Sequence, residues 1–117
     1  MRRDELRLRD ILESIERIDR LAGRQREAFE GDELLQVWVV HHLQIIGEAA
    51  RNLSEPVRTG NPQVPWSAII GMRHILVHDY FGVDLDEVWN VVDRDLPALR
   101  EQIAKILRAA INTAQDE

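Results

Sequence analysis

The stretch Gly71-Met72-Arg73-His74-Ile75-Leu76-Val77-His78-Asp79-Tyr80-Phe81-Gly82-Val83-Asp84 holds a helix end, a turn and a helix start. At about 3.6 residues per turn, Ile69, Met72, Leu76 and Val77 form the buried stripe of a helix. It runs from about Trp66 to Val77 or His78. Tyr80-Phe81-Gly82-Val83 reads as the turn. Asp84 and Glu87 then read as the N-cap and capping-box partner of the next helix. From Leu85 onward, Val88, Trp89, Val92, Leu96, Leu99, Ile103, Ile106, Leu107 and Ala110 hold one helical phase. Pro97 falls inside that run and predicts a kink rather than a new direction.

Upstream, Pro56, Gly60, Asn61, Pro62 and Pro65 mark 54–65 as a loop. A helix precedes it from the N-cap Asp32 to about Leu53. It is apolar almost all round (Leu34, Leu35, Val37, Trp38, Val39, Val40, Leu43, Ile45, Ile46). Such a helix needs covering on several sides, by neighbours or by a second subunit. Gly23 and Gly31 bracket a polar connection. Before it, Leu8, Ile11, Leu12, Ile15, Ile18 and Ala22 recur at helical spacing from Asp4 to about Ala22. No strand pattern competes. The expectation is all-α: an up-and-down bundle of four or five helices, one domain over residues 1–117, its last long helix kinked at the proline.

The chain has no cysteine, so neither disulfides nor a thiolate zinc site can hold it. A charged start with no apolar segment behind it, and no apolar run of spanning length, point to a cytoplasmic protein without membrane attachment. A net charge of −6 argues against a protein that coats nucleic acid non-specifically. A local basic cleft stays compatible with it.

Arg73 lies in the middle of the buried stripe, where an arginine is costly unless it meets a carboxylate, a phosphate or water. His78 is about 140° around from it on an ideal helix. The two can converge only if the helix ends near Val77 or a second subunit closes the site. On residue types alone, an arginine satisfied by an internal carboxylate, a helix-terminal histidine and a core tyrosine are the preferred account of the pattern.

The spacing Arg73-x4-His78-x-Tyr80, however, resembles the Arg-x4-His-x-Tyr motif of HEPN-domain toxins, specifically the HepT family. The flanks are similar too: Ile69-Ile70-Gly71-Met72 before it, Phe81-Gly82-Val83-Asp84 after it, Ile46-Gly47-Glu48-Ala49-Ala50 upstream and Asp95-Leu96-Pro97 downstream. Many family members carry asparagine where this chain has His74. The resemblance implies a HEPN-like bundle and a metal-independent endoribonuclease with no cofactor, whose cleft forms at a homodimer interface. It implies Arg73 and His78 as catalytic residues acting on RNA. His74, Glu48 and Asp79 are grouped with them as supporting. It further implies a type VII-like toxin–antitoxin system, in which a minimal nucleotidyltransferase antitoxin (MntA-like) transfers AMP to Tyr80. The alternative is a HEPN-like module that binds such a nucleotidyltransferase, or its substrate, without cleaving RNA.

His41-His42 invites a metal, but adjacent helical residues point about 100° apart and no third ligand is evident. His41, Gln44, Glu48 and Asn52 share one helix side, preferentially a polar seam inside the bundle. In the sharper reading, Glu48 is the ion-pair partner that aims Arg73. Trp38, Trp66 and Trp89 are at core spacing.

Overall fold

The computed structural model describes residues 2–22, 25–78 and 84–116, with side chains at 3–22, 25–73 and 84–113. Helix α1 spans Arg2–Ala22, and its inward residues Leu8, Ile11, Ile15 and Ile18 are fully buried. Burying each such side chain contributes about 1.5–3 kcal/mol. The next segment departs from the expected polar connection, because Arg26–Glu30 forms a short helix, α2. The reason is Phe29, which is fully buried with its ring centroid 5.5 Å from that of Trp89. An Arg26–Asp86 ion pair also links α2 to the residues after the turn.

Helix α3 spans Glu33–Arg51 and starts where expected: the Asp32 carboxylate accepts from the Leu35 amide at 3.1 Å. The segment read as a loop contains a second short helix, α4, over Glu55–Thr59, with Pro56 in its first turn. Its start is tied to the first turn of α1. Buried Asp4 accepts from the Ser54 amide and from Ser54 Oγ, each at 2.8 Å. Helix α5 spans Trp66–His78. The expected turn after it, and Gly23, lie outside the described residues.

Asp84 caps α6 (Leu85–Asn90), accepting from the amides of Asp86 at 3.0 Å and Glu87 at 3.2 Å. Helix α7 spans Leu96–Asp116 and continues from α6 through a π-helical turn at Val91–Asp95. That irregular turn lies where the proline predicted a departure from a regular helix. Pro97 has no amide hydrogen to give the carbonyl four residues back, and widening the preceding turn accommodates the defect without a break.

The long helices pack in the order α7, α1, α3, α5, and α5 rests chiefly on α3. The molecule is correspondingly elongated, 50 × 26 × 20 Å. The architecture is the expected all-α, HEPN-like bundle, four long helical rods with two short helices set into their connections.

Candidate active site

Helices α3 and α5 approach closely because residue 47 has no side chain. A Cβ there would lie 3.0 Å from the Ile69 carbonyl oxygen and 3.3 Å from both the amide nitrogen and the Cβ of Arg73. Gly47 thus seats Arg73 directly against α3, one residue before Glu48. Arg73 Nη1 donates to Glu48 Oε2 at 2.5 Å. The other carboxylate oxygen meets Asn52 Nδ2 at 3.3 Å and Arg51 Nη1 at 3.6 Å. Asn52 Nδ2 also donates to the Glu48 carbonyl at 2.9 Å.

Arg73 is therefore not sealed in the middle of a buried stripe. Its side chain is 26% exposed and that of Glu48 48% exposed. Nor is the side of α3 bearing His41, Gln44, Glu48 and Asn52 a seam within the bundle. His41, Glu48 and Asn52 are exposed and Gln44 is half-buried. The expected polar seam does not form because α1 and α5 cover the opposite side of α3, through Val39, Leu43, Ile46 and Ala50. The same outward side also carries Leu34, 83% exposed, and Val37, 51% exposed.

The Arg73 hydrogen bond is the largest influence on Glu48 and holds its carboxyl below the usual value of 4.5. Partial desolvation opposes this, while Asn52 and Arg51 reinforce it. At neutral pH the pair is ionic, with Nη1 committed to Glu48. Among the described residues, no acceptor meets Nε or Nη2 of Arg73. That edge of the guanidinium has the fork geometry that matches two oxygens of a phosphate.

His74 and His78 lie on the α5 backbone, with side chains outside the described set, and Asp79 and Tyr80 are outside the described residues altogether. Because α5 continues through His78, the backbone positions of Arg73 and His78 are about 140° apart around its axis. The helix does not end early enough to bring the two together by itself.

Of the two adjacent histidines, His41 is exposed and His42 is buried, 3% exposed at the α1–α3 seam. Neither ring nitrogen of His42 has a hydrogen-bond partner among the described residues. Its ring packs edge-on to Trp38, centroids 4.4 Å apart. Among the described residues, no group of three or more His, Asp or Glu is placed to hold a metal ion. Trp66 and Trp89 are core residues, whereas Trp38 is half-buried, with Nε1 3.5 Å from the Arg17 carbonyl oxygen. No described helix is long and apolar enough to cross a membrane.

Comparison with known proteins places the geometry in context. A family model described as "Ribonuclease HepT-like" matches residues 11–106. A Caldanaerobacter subterraneus protein named "Putative RNase" is 40% identical over 78% of this chain and 81% of its own length. A Thermococcus cleftensis protein named "Probable ribonuclease HepT" is 37% identical over 85% of this chain and 91% of its own. A Methanocaldococcus jannaschii protein named "Gamma-glutamylcyclotransferase and putative RNase" is 41% identical over 92% of this chain. The chain spans only about half of that relative's length, 49%. No solved structure gives a significant match.

Proposed function

The chain belongs to the HepT-like ribonuclease family, and on that premise we propose that it is a metal-independent endoribonuclease with Arg73 and His78 at its catalytic centre. The observation that carries this reading is Arg73 itself. The motif arginine is held by Glu48 on an outward face, with one guanidinium edge turned to no other described acceptor. A purely structural arginine would be expected to spend its donors inside the fold.

In the proposed reaction the ribose 2′-oxygen attacks the adjacent phosphorus. The P–O5′ bond breaks, leaving a 2′,3′-cyclic phosphate on one fragment and a 5′-hydroxyl on the other. Arg73 binds the phosphate oxygens, on which negative charge builds in the transition state. His78 can exchange a proton near neutral pH, taking it from the 2′-hydroxyl or giving it to the leaving oxygen. One imidazole cannot begin in both protonation states, so a homodimer with two His78 residues facing a shared cleft divides these duties. The exposed Leu34 and Val37, on the same side of α3 as Glu48, support a second copy docking beside the site.

The same reading extends to control by a nucleotidyltransferase antitoxin. The Tyr80 oxygen attacks the α-phosphorus of ATP, pyrophosphate leaves, and the tyrosine carries AMP. The new phosphate competes with RNA for Arg73. Mass spectrometry of the chain incubated with that partner, ATP and magnesium tests this, with Tyr80→Phe expected to stay unmodified.

The decisive experiment for cleavage incubates the purified chain with a short single-stranded RNA in EDTA and analyses the fragment ends. Cyclic phosphate ends are expected, with a loss of about 100-fold or more in Arg73→Ala and His78→Ala proteins that remain folded. Undiminished cleavage by folded His78→Ala would remove His78 from the mechanism. A chain that binds the nucleotidyltransferase yet never cleaves RNA would be the non-catalytic module instead.

A further inference from the structure

The carboxylate that holds Arg73 is itself held. Glu48 is half exposed, and an exposed glutamate–arginine pair ordinarily contributes little because both side chains keep many rotamers. Here the two carboxylate oxygens have separate partners, Oε2 meeting Arg73 and Oε1 meeting Asn52. Asn52 is the C-cap of α3, one turn beyond Glu48, and its amide reaches both the Glu48 carbonyl and Oε1. This two-point hold from a short side chain fixes the carboxylate relative to the helix. It favours single-point contact with Arg73 over one that would occupy both terminal nitrogens. Arg51, at 3.6 Å, adds charge without a hydrogen bond.

We propose that Asn52 is a positioning residue for Arg73, acting through Glu48: it turns one carboxylate oxygen to Nη1 and so leaves the Nε–Nη2 edge of the guanidinium for an RNA phosphate. The inference rests on the reading of Arg73 as the phosphate-binding arginine. Asn52 touches neither RNA nor the reacting atoms. Its effect on the reaction passes entirely through Glu48, which distinguishes it from a residue that merely ends a helix.

A double-mutant cycle in the full-length chain tests this, using a short mixed-sequence RNA that carries a fluorophore and a quencher. Asn52→Ala is expected to lower kcat about tenfold, with KM within about twofold, since small displacements of a clamp are felt mostly in the transition state. In a Glu48→Ala background the same substitution is expected to have no further effect. A helix cap acting only on stability would lower activity equally in both backgrounds, and that result overturns the proposal. So does an undiminished kcat in Asn52→Ala. If Asn52→Ala does not fold, Asn52→Gly, which suits a helix C-terminus, carries the cycle.

A second readout follows the Glu48 carboxyl by NMR. Its titration midpoint is expected to rise toward 4.5 in Asn52→Ala, because a hydrogen bond favouring the charged form is lost. An unmoved midpoint counts against the proposal even where cleavage falls. If the unsubstituted chain does not cleave the probe, or Arg73→Ala cleaves it as well, the ribonuclease reading fails and takes this one with it. Loss of activity in Arg73→Ala combined with full activity in Asn52→Ala removes the present inference alone.

Discussion

His42 is the residue whose environment carries the plainest consequence for solution behaviour. Burial is the main cause that lowers its pKa below 6.5, with His41 and Arg17 acting in the same direction and Glu13 weakly against them. The folded chain therefore takes up this proton at lower pH than the unfolded chain does. Stability that is complete above 6.5 is lost as pH falls through the lowered value, because the unfolded state binds the proton first. The melting temperature is expected to drop between pH 7.5 and pH 5 by more in the native chain than in His42→Phe. Equal slopes for the two proteins in thermal denaturation followed by circular dichroism would show that His42 does not titrate this way.

At the scale of the helix, Gly47 sets the spacing of α3 and α5 on which Arg73 depends. In Gly47→Ala two effects oppose each other. The helix gains up to about 1 kcal/mol in propensity. The new methyl meets backbone atoms of Ile69 and Arg73 that no rotamer change can move aside, and overpacking costs about 1–3 kcal/mol. A net loss of about 1 kcal/mol is expected in urea unfolding. Cleavage should fall further than stability does, since the arginine shifts away from Glu48. A helix start is simpler: Asp84→Ala should cost about 1 kcal/mol through the two amides left uncapped.

The same scale shows what could be read without coordinates. The four long rods and the caps at Asp32 and Asp84 carry a period or a local signature, and they stand where expected. Helices α2 and α4 have five residues each, too few to establish a period. Their existence depends on Phe29 reaching Trp89 and on Asp4 reaching Ser54, across separations that no local pattern encodes. Pro97 announced a defect, but not that a π-helical turn would absorb it. At the site, the Arg73–Glu48 pair was one of two readings. An apolar stripe tells which helix side is buried and leaves unsaid whether the polar side faces a neighbour or solvent.

For the whole molecule, the arrangement of rods leaves α5 resting chiefly on α3 and leaves Leu34 and Val37 facing outward. In the proposed dimer this is the surface a second copy covers. Leu34→Glu with Val37→Glu is expected to convert the dimer to monomer in sedimentation experiments while the helical content is kept. Cleavage should then fall about 100-fold at concentrations where the native chain is paired, because each cleft loses its second His78. A folded variant that stays dimeric would place the interface elsewhere.

The pairing of α1 with α7 also bears on the order in which this chain is expected to fold. The contacts of α1 with α3 and of α3 with α5 join neighbouring parts of the chain, whereas those of α1 with α7 join its opposite ends. A refolding chain can therefore seat Arg73 beside Glu48 while α1 still lacks its cover from Leu99, Ile103 and Ile106 of α7. Until that rod arrives, one flank of α1 stays wet, and closing the largest loop comes last. Amides of α3 and α5 are expected to gain protection from hydrogen exchange before those of α7 in pulse-labelled refolding. The Arg73–Glu48 pair would then be in place before the fold is locked, whereas the shared cleft of the proposed dimer, with its second His78, waits for two finished chains to meet.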